Sequence, residues 1–275
     1  LKRHLWLATL AVCVTLISPE SRVCARTWRV TTDGSGDAPF LEAAMDSAVS
    51  GDIVLLAPGE YTIGPISVTS GILLRSEAGP VLTRLLGHPG VNSGLSCSQL
   101  GPTEISGFWF EGYDDVTFTG LGAITAVGCF RLYIHDCVFA NNGKAGIALS
   151  ANDMIDLENN TFVGNQFAVY GYGGTGLAKN NIFWDRLTGA IPFNPFCNDV
   201  LKLGDLPLAW RSANFSVDPQ FCGQHDYRIL TTSPCAPGNT PLTVSCGLVG
   251  ALPAECSPTS VEATSWGAVK ALYRH

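Results

Sequence analysis

The sequence predicts an all-β solenoid, and three observations carry that prediction. Segments 132–139 (LYIHDCVF), 155–162 (IDLENNTF) and 176–183 (GLAKNNIF) superimpose, and their final Phe recurs after 23 and then 21 residues. Strand-forming residues in these segments are punctuated by Asn and Gly, and a period in the low twenties of that kind marks stacked β-coils. Ahead of the repeats lies one short amphipathic helix, which suits the open end of a solenoid, where core and unpaired backbone would otherwise meet water.

In chain order, the first element is an expected export signal over 1–25. Lys2, Arg3 and His4 precede an apolar run from Leu5 to Ile17, which is too short to span a bilayer. Val23-Cys24-Ala25 fits the small-residue cleavage rule, and this implies a secreted or cell-surface protein with no membrane span after cleavage. Removing 1–25 takes away Lys2, Arg3, Arg22 and Glu20 and moves the net charge from −7 to −9. An acidic chain with no basic run argues against nucleic acid as a partner. Eight cysteines follow the signal (97, 129, 137, 197, 222, 235, 246 and 256), and five lie beyond residue 196. Export permits disulfides, so bridges are expected in the C-terminal segment, with their pairing open.

The domain expected over 26–256 begins with a cap over 28–50. It comprises a strand at 28–30, a turn at 33–37 (DGSGD) and a helix over about 39–49 with Asp37 as N-cap. Phe40, Leu41, Ala44, Met45 and Ala48 share the apolar face of that helix. Gly51-Asp52 ends it, 53–56 (IVLL) is a buried strand, and 57–61 reads APGEY. This succession (DGSGD, helix, GD, apolar strand, PGxY) resembles the start of right-handed parallel β-helix proteins of the pectin-lyase-like superfamily. The resemblance implies that fold, with three strands per coil, from 28 to about 256.

Strands are expected at 63–68, 71–76, 80–86, 94–98, 104–110, 123–127, 130–140, 146–150, 154–163, 168–172, 176–184 and 190–193. Asn160 and Asn181 fall at equivalent tight corners, with Cys137 one coil earlier. Stacked asparagines there are expected to bond to one another and to take the left-handed conformation of the corner. From Cys197 the period is lost, and 197–256 is expected to hold the last coils and a cysteine-pinned cap. Its motifs at 218–222, 226–230 and 246–251 resemble the closing segment of secreted bacterial β-helix proteins. A linker and tail, 257–275, complete the chain.

The resemblance implies a substrate groove for acidic polysaccharide over the first strand of each coil. Period-two alternation places Leu95, Cys97, Ile124, Ile147, Leu149 and Val169 inside and Ser96, Ser98, Thr125, Ala148, Ser150, Tyr170 and Tyr172 outside. That outer row has no charged residue, whereas a hydrolase needs two carboxylates and a lyase a base and, often, calcium ligands. Candidate catalytic groups therefore lie elsewhere. Asp114 and Asp115 sit in a loop that lengthens one repeat to 29 residues, and they are also the candidate Ca²⁺ ligands. Arg131 is a further candidate, and His135, Glu158 and Lys179 stack on successive second strands, with Tyr133, Asp153 and Asp156 beside them. The plainer account of that row is a cross-strand charge ladder. Tyr170, Tyr172 and Trp184 are the candidate carbohydrate contacts. Gly171-Tyr-Gly-Gly-Thr-Gly176 matches a dinucleotide-loop pattern, but no helix is expected after it. The reading that follows is a non-catalytic polysaccharide-binding or structural surface module that needs no cofactor. The rivals are a polysaccharide lyase and a protein adhesin.

Overall fold

The computed structural model describes residues 25–88, 90–114, 122–151, 154–188 and 193–256. The expected signal segment up to residue 24, Asp115, Asp153 and the 257–275 tail lie outside the described residues.

Three parallel sheets of six, eight and seven strands form a parallel β-helix. One coil runs through Ala145–Ser150 in the six-stranded sheet, Ile155–Glu158 in the eight-stranded sheet and Thr161–Val163 in the seven-stranded sheet. The next coil repeats this with Phe167–Tyr172, Gly176–Lys179 and Ile182–Phe183. Inward side chains of all three sheets merge into one core. The recurring Phe becomes a column of stacked rings in that core. Centroid separations are 4.9 Å from Phe110 to Phe139, 4.7 Å to Phe162 and 5.1 Å to Phe183. All four rings are fully buried, so the column adds aromatic stacking to apolar burial.

The long strands expected at 104–110, 130–140, 154–163 and 176–184 are each split in two. Gly107, Asp136, Asn159 and Asn180 have positive φ and turn the chain from the eight-stranded to the seven-stranded sheet. Asn, Asp and Gly tolerate that conformation best. The left-handed residue thus precedes the stacked asparagine instead of being it. Asn160 and Asn181 follow two of these corners, Asn198 follows the left-handed Cys197, and together with Asn214 they form a buried ladder. The backbone N–H of Asn160 donates to Asn181 Oδ1 (2.9 Å), that of Asn181 to Asn198 Oδ1 (2.9 Å) and that of Asn198 to Asn214 Oδ1 (2.8 Å). Each Nδ2 also donates to a carbonyl one coil back, as Asn181 does to Leu157 at 2.9 Å. A second ladder stands where the seven-stranded sheet turns to the six-stranded one. Asn142 donates to Asn165 Oδ1, and Asn165 donates through its backbone N–H (3.1 Å) and Nδ2 (2.6 Å) to Asp185 Oδ2. Burial pushes the Asp185 pKa up to about 6.

The capping helix is Leu41–Ser47, shorter than expected at both ends. Asp37 does not cap it, because its carboxylate accepts the Arg29 backbone N–H instead (2.9 Å). Phe40 takes the N-cap position in an extended conformation and is 56% exposed, so it leaves the apolar face that Leu41, Ala44, Met45 and Ala48 bury. Asp33 accepts from the Thr31 and Ser35 hydroxyls and the Ser35 N–H, and these bonds hold its pKa near 2. Asp52 gathers the N–H groups of Arg26, Val49 and the Trp28 indole, which ties the first strand to the end of the helix. The APGEY segment contributes a strand, Gly59–Thr62, and Tyr61 donates its hydroxyl to the Ala57 and Val30 carbonyls.

The sheets end at Phe193–Phe196 and Asp199–Val200. Fully buried Asp199 accepts the Val217 N–H (3.1 Å) and the Cys235 thiol (3.3 Å), and burial pushes its pKa up to about 7. The chain then returns as a three-stranded sheet, Phe221–Gly223, Asp226–Leu230 and Ala254–Cys256. Cys197–Cys246 and Cys222–Cys256 bridge this segment, where the cysteine spacing placed them. Cys97, Cys129, Cys137 and Cys235 are buried thiols, each with its pKa raised by burial. Among the described residues no helix is long and apolar enough to cross a membrane.

Candidate functional site

The solenoid presents three outer faces of different chemistry. On the six-stranded sheet the period-two pattern fixes which side chains reach solvent. Register aligns Ser96, Thr125, Ala148 and Tyr170 in one row, and Ser98, Val127, Ser150 and Tyr172 in the next. Ala148, expected outside, is buried with 4% exposure, because its short side chain lies below the larger neighbours of its row. Leu95, Cys97, Ile124, Ile147, Leu149 and Val169 are buried beneath them. The outer rows form a track of small residues that ends at two exposed rings, Tyr170 (37%) and Tyr172 (62%). Lys144 Nζ lies 5.9 Å from the Tyr170 ring centre, and the Arg186 guanidinium lies 5.8 Å from that of Phe167. These two cations flank the track from neighbouring turns. Trp184 is elsewhere. It packs against the C-terminal cluster of Ile182, Phe215, Ile229 and Val249, because the chain has already turned into the seven-stranded sheet there.

Gly171 and Gly176 explain the glycine pattern around the two tyrosines. Gly171 has φ +126°, and a Cβ there would strike the Leu149 carbonyl. Gly176 has φ +156°, and a Cβ would strike the Ile155 carbonyl, so both glycines serve close coil-to-coil approach.

On the eight-stranded sheet, His135, Glu158 and Lys179 stand in register on successive coils. Glu158 accepts from Lys179 Nζ (2.7 Å) and from the Tyr133 hydroxyl (2.8 Å). One coil back, Glu104 Oε1 accepts Arg75 Nε (2.7 Å) and lies 3.1 Å from His135 Nε2, while His135 Nδ1 lies 2.7 Å from Asp136. The Tyr133 and His135 rings stack at 4.3 Å and join the two halves. Burial works against the His135 charge, but Asp136 and Glu104 outweigh it and raise its pKa. Burial likewise opposes the charge of Glu104 and Glu158, and their cationic and hydrogen-bonding partners hold both below the ordinary carboxylate value. A cleft of about 410 Å³ opens beside this network, lined in part by Glu104, Arg131, Tyr133, Asp156 and Glu158. Asp156 also accepts the Leu177 N–H (2.8 Å).

Asp114 does not join them. It follows the third-sheet strand Trp109–Glu111 and lies against Gly143, at the corner leading to the six-stranded sheet. Arg131 and His135 belong to the eight-stranded face, so Asp114, Arg131 and His135 do not converge on one cleft. Among the described residues no group of three or more His, Cys, Asp or Glu is arranged to hold a metal ion.

The seven-stranded face was not singled out from the sequence, yet it carries Arg84, Trp109 and Glu111 at outward positions beside the returning C-terminal sheet. Glu104 and Arg75 were missed as well. Alternation within the third strands, and alignment of residue 104 with 133 across the long repeat, would have revealed both groups.

The family described as "Right handed beta helix region" matches residues 70–193, the stretch that supplies the stacked coils. No curated protein and no solved structure matches the chain.

Proposed function

We propose that this right-handed parallel β-helix is a non-catalytic extracellular or cell-surface module that binds polysaccharide along the outer face of its six-stranded sheet. One observation carries the reading. Tyr170 and Tyr172 stand exposed on one strand at the end of a small-residue track that crosses four coils. Coils stack about 4.8 Å apart, so the track gives an extended chain a flat floor of roughly 15–20 Å, and the tyrosine faces suit the C–H surfaces of sugar rings. Lys144 beside Tyr170, and Arg186 beside Phe167 on the same strand, favour an acidic glycan. The outward positions of the described strands in this sheet bear no carboxylate and no base, which argues against cleavage there.

The test is gel retardation of the full chain by a panel of uronate-containing and neutral polysaccharides, with unsaturated-uronate absorbance followed in parallel, first with calcium and then with chelator. Retardation without new chain ends is expected, and it is expected to disappear in the Tyr170→Ala/Tyr172→Ala variant. Calcium-dependent growth of absorbance would replace this reading with a lyase. Retardation that survives loss of both tyrosines would move the binding surface elsewhere.

A further inference from the structure

The C-terminal sheet returns over the outer face of the seven-stranded sheet and stops partway along it. Where it covers that face, the outward residues are small or apolar. Trp109, Val138, Ala140, Tyr227 and Leu252 form a shared cluster, the Ala251 N–H donates to Thr161 Oγ1 (3.0 Å), and the Gly250 N–H donates to the Asn180 carbonyl (2.7 Å). Toward the N-terminal coils the outward residues become Glu60, Arg84 and Glu111. The covering sheet ends at that transition, and its edge leaves a cleft of about 510 Å³. That volume falls within the range of about 300–1,000 Å³ typical of small-molecule sites.

The walls come from separate parts of the chain. Arg84, Trp109, Glu111 and Asn141 belong to the solenoid, whereas His225, Asp226 and Arg228 belong to the returning sheet. Charge in the walls is balanced in pairs. Arg84 is paired with Glu111, which also accepts the Trp109 indole N–H (3.0 Å) and Asn141 Nδ2 (3.0 Å). Arg228 is paired with Asp226, with Nε donating at 2.9 Å. The outer contacts, Arg84 to Glu60 at 3.4 Å and Arg228 to Glu255 at 3.5 Å, are long. Unused capacity remains at exposed His225, whose ring has no hydrogen-bond or ionic partner among the described residues. Val81 and Leu252 add apolar wall.

Balanced pairs disfavour a strongly charged ligand, because either sign would meet the like-charged half of each pair. A polyhydroxylated, uncharged ligand avoids that, since each hydroxyl both donates and accepts. We infer that this seam is a second carbohydrate site, which takes a neutral sugar residue against Arg84, His225 and Arg228. The inference extends the polysaccharide-binding reading to another face and rests on it for the ligand class alone.

Calorimetric titration of the full chain with cellotriose, maltotriose and mannotriose, with trigalacturonate as the acidic comparator, tests it. At least one neutral trisaccharide is expected to bind and to outcompete trigalacturonate at this site. His225→Ala and, separately, Arg228→Lys are expected to weaken that binding at least about fivefold, the loss of roughly one hydrogen bond. The melting temperature of His225→Ala is expected to stay unchanged, and Tyr170→Ala/Tyr172→Ala is expected to leave trisaccharide affinity intact. Failure of every neutral trisaccharide to bind at millimolar concentration overturns the inference, and so does binding that neither seam variant weakens. Binding lost with the tyrosines but not with His225 or Arg228 also overturns it while leaving the tyrosine-track reading in place. Conversely, polysaccharide retention that ignores the tyrosines while trisaccharide binding tracks the seam sinks that reading and keeps this one.

Discussion

Two ladders run along this molecule a few residues apart on the same coils, and burial separates what they do. The Asn160–Asn181–Asn198–Asn214 ladder is enclosed, and its amides bond to backbone and to one another. The Arg75–Glu104–His135 and Tyr133–Glu158–Lys179 network stands on the outer face of the eight-stranded sheet, partly open to water. Both repeat with the coil, so repetition alone says nothing about energy. Inside, an unmade hydrogen bond has no water to replace it, whereas outside it does.

The largest effect is therefore expected from Asn181→Ala. It removes the acceptor of the Asn160 N–H and Nδ2 and strips the donor from the Leu157 carbonyl. Several buried groups lose partners, so unfolding free energy should fall by about 3–5 kcal/mol in a denaturant titration. A loss below about 1 kcal/mol would mean that water enters the corner, and the contrast between the ladders would collapse.

The second ladder offers the opposite experiment, because Asp185 ends it with a carboxylate where the other members are amides. Its folded pKa, about 6, lies above the ordinary value of 3.8 because of burial. The group therefore favours the fold while protonated, and that stability is lost as pH rises from about 4 through 6. Asp185→Asn should be nearly neutral at pH 4 and stabilising by about 2–3 kcal/mol at pH 7, measured by chemical denaturation at both pH values. Equal effects at the two pH values would show that the carboxylate is not desolvated.

Much of this was legible in the residues, and the gaps have physical causes. The Phe column and the Asn160–Asn181 step of the first ladder could be read because one bulky and one corner residue type recur at the coil period, whereas Asn198 and Asn214 were missed because the spacing shortens to 17 and 16 residues. The second ladder was not, since Asn142, Asn165 and Asp185 mix two residue types at spacings of 23 and 20, and a carboxylate there looks like a surface charge. Strand lengths were overestimated because residues such as Val138 and Phe139 continue the β pattern straight through a corner that one left-handed residue, Asp136, makes. The capping helix was overextended for the converse reason: tertiary bonding drew Asp37 to Arg29 and left Phe40 outside. The three rings proposed as a carbohydrate surface did not stay together, because alternation says nothing about which sheet a residue near a corner will join. The seam under the C-terminal sheet depends on a chain reversal of more than a hundred residues, which no local pattern reveals.

His135 sharpens the comparison from the exposed side. Its folded pKa is raised, since Asp136 and Glu104 outweigh the cost of burial. The stabilisation is then complete below the ordinary imidazole pKa of about 6.5 and is lost as pH rises through the higher folded value. Stability should decline over that window in the wild type, and His135→Gln should flatten the decline without affecting the fall attributed to Asp185 at lower pH. Thermal melting from pH 4 to 9, compared between wild type and His135→Gln, isolates the His135 part from the falls due to Asp185 and Asp199, which both proteins share. A slope unchanged by His135→Gln would place the titration in another group.

The smallest effect belongs to Glu158 and Lys179, although their 2.7 Å contact is as short as many bonds in the buried ladder. Both side chains keep solvent access, so losing the partner lets water take its place. A double-mutant cycle with Glu158→Gln and Lys179→Met should return a coupling of only about 0.2–1 kcal/mol, shrinking further in high salt. Tyr133 complicates the first substitution, because Gln must still accept its hydroxyl, and the cycle cancels that term as long as both Glu158→Gln proteins keep the bond. A coupling near that of the buried asparagines would mean that the network excludes water. The outer face would then be a rigid element with a cost to open, and the cleft beside Arg131 and Asp156 would become a preorganised site instead of a by-product of a charge ladder.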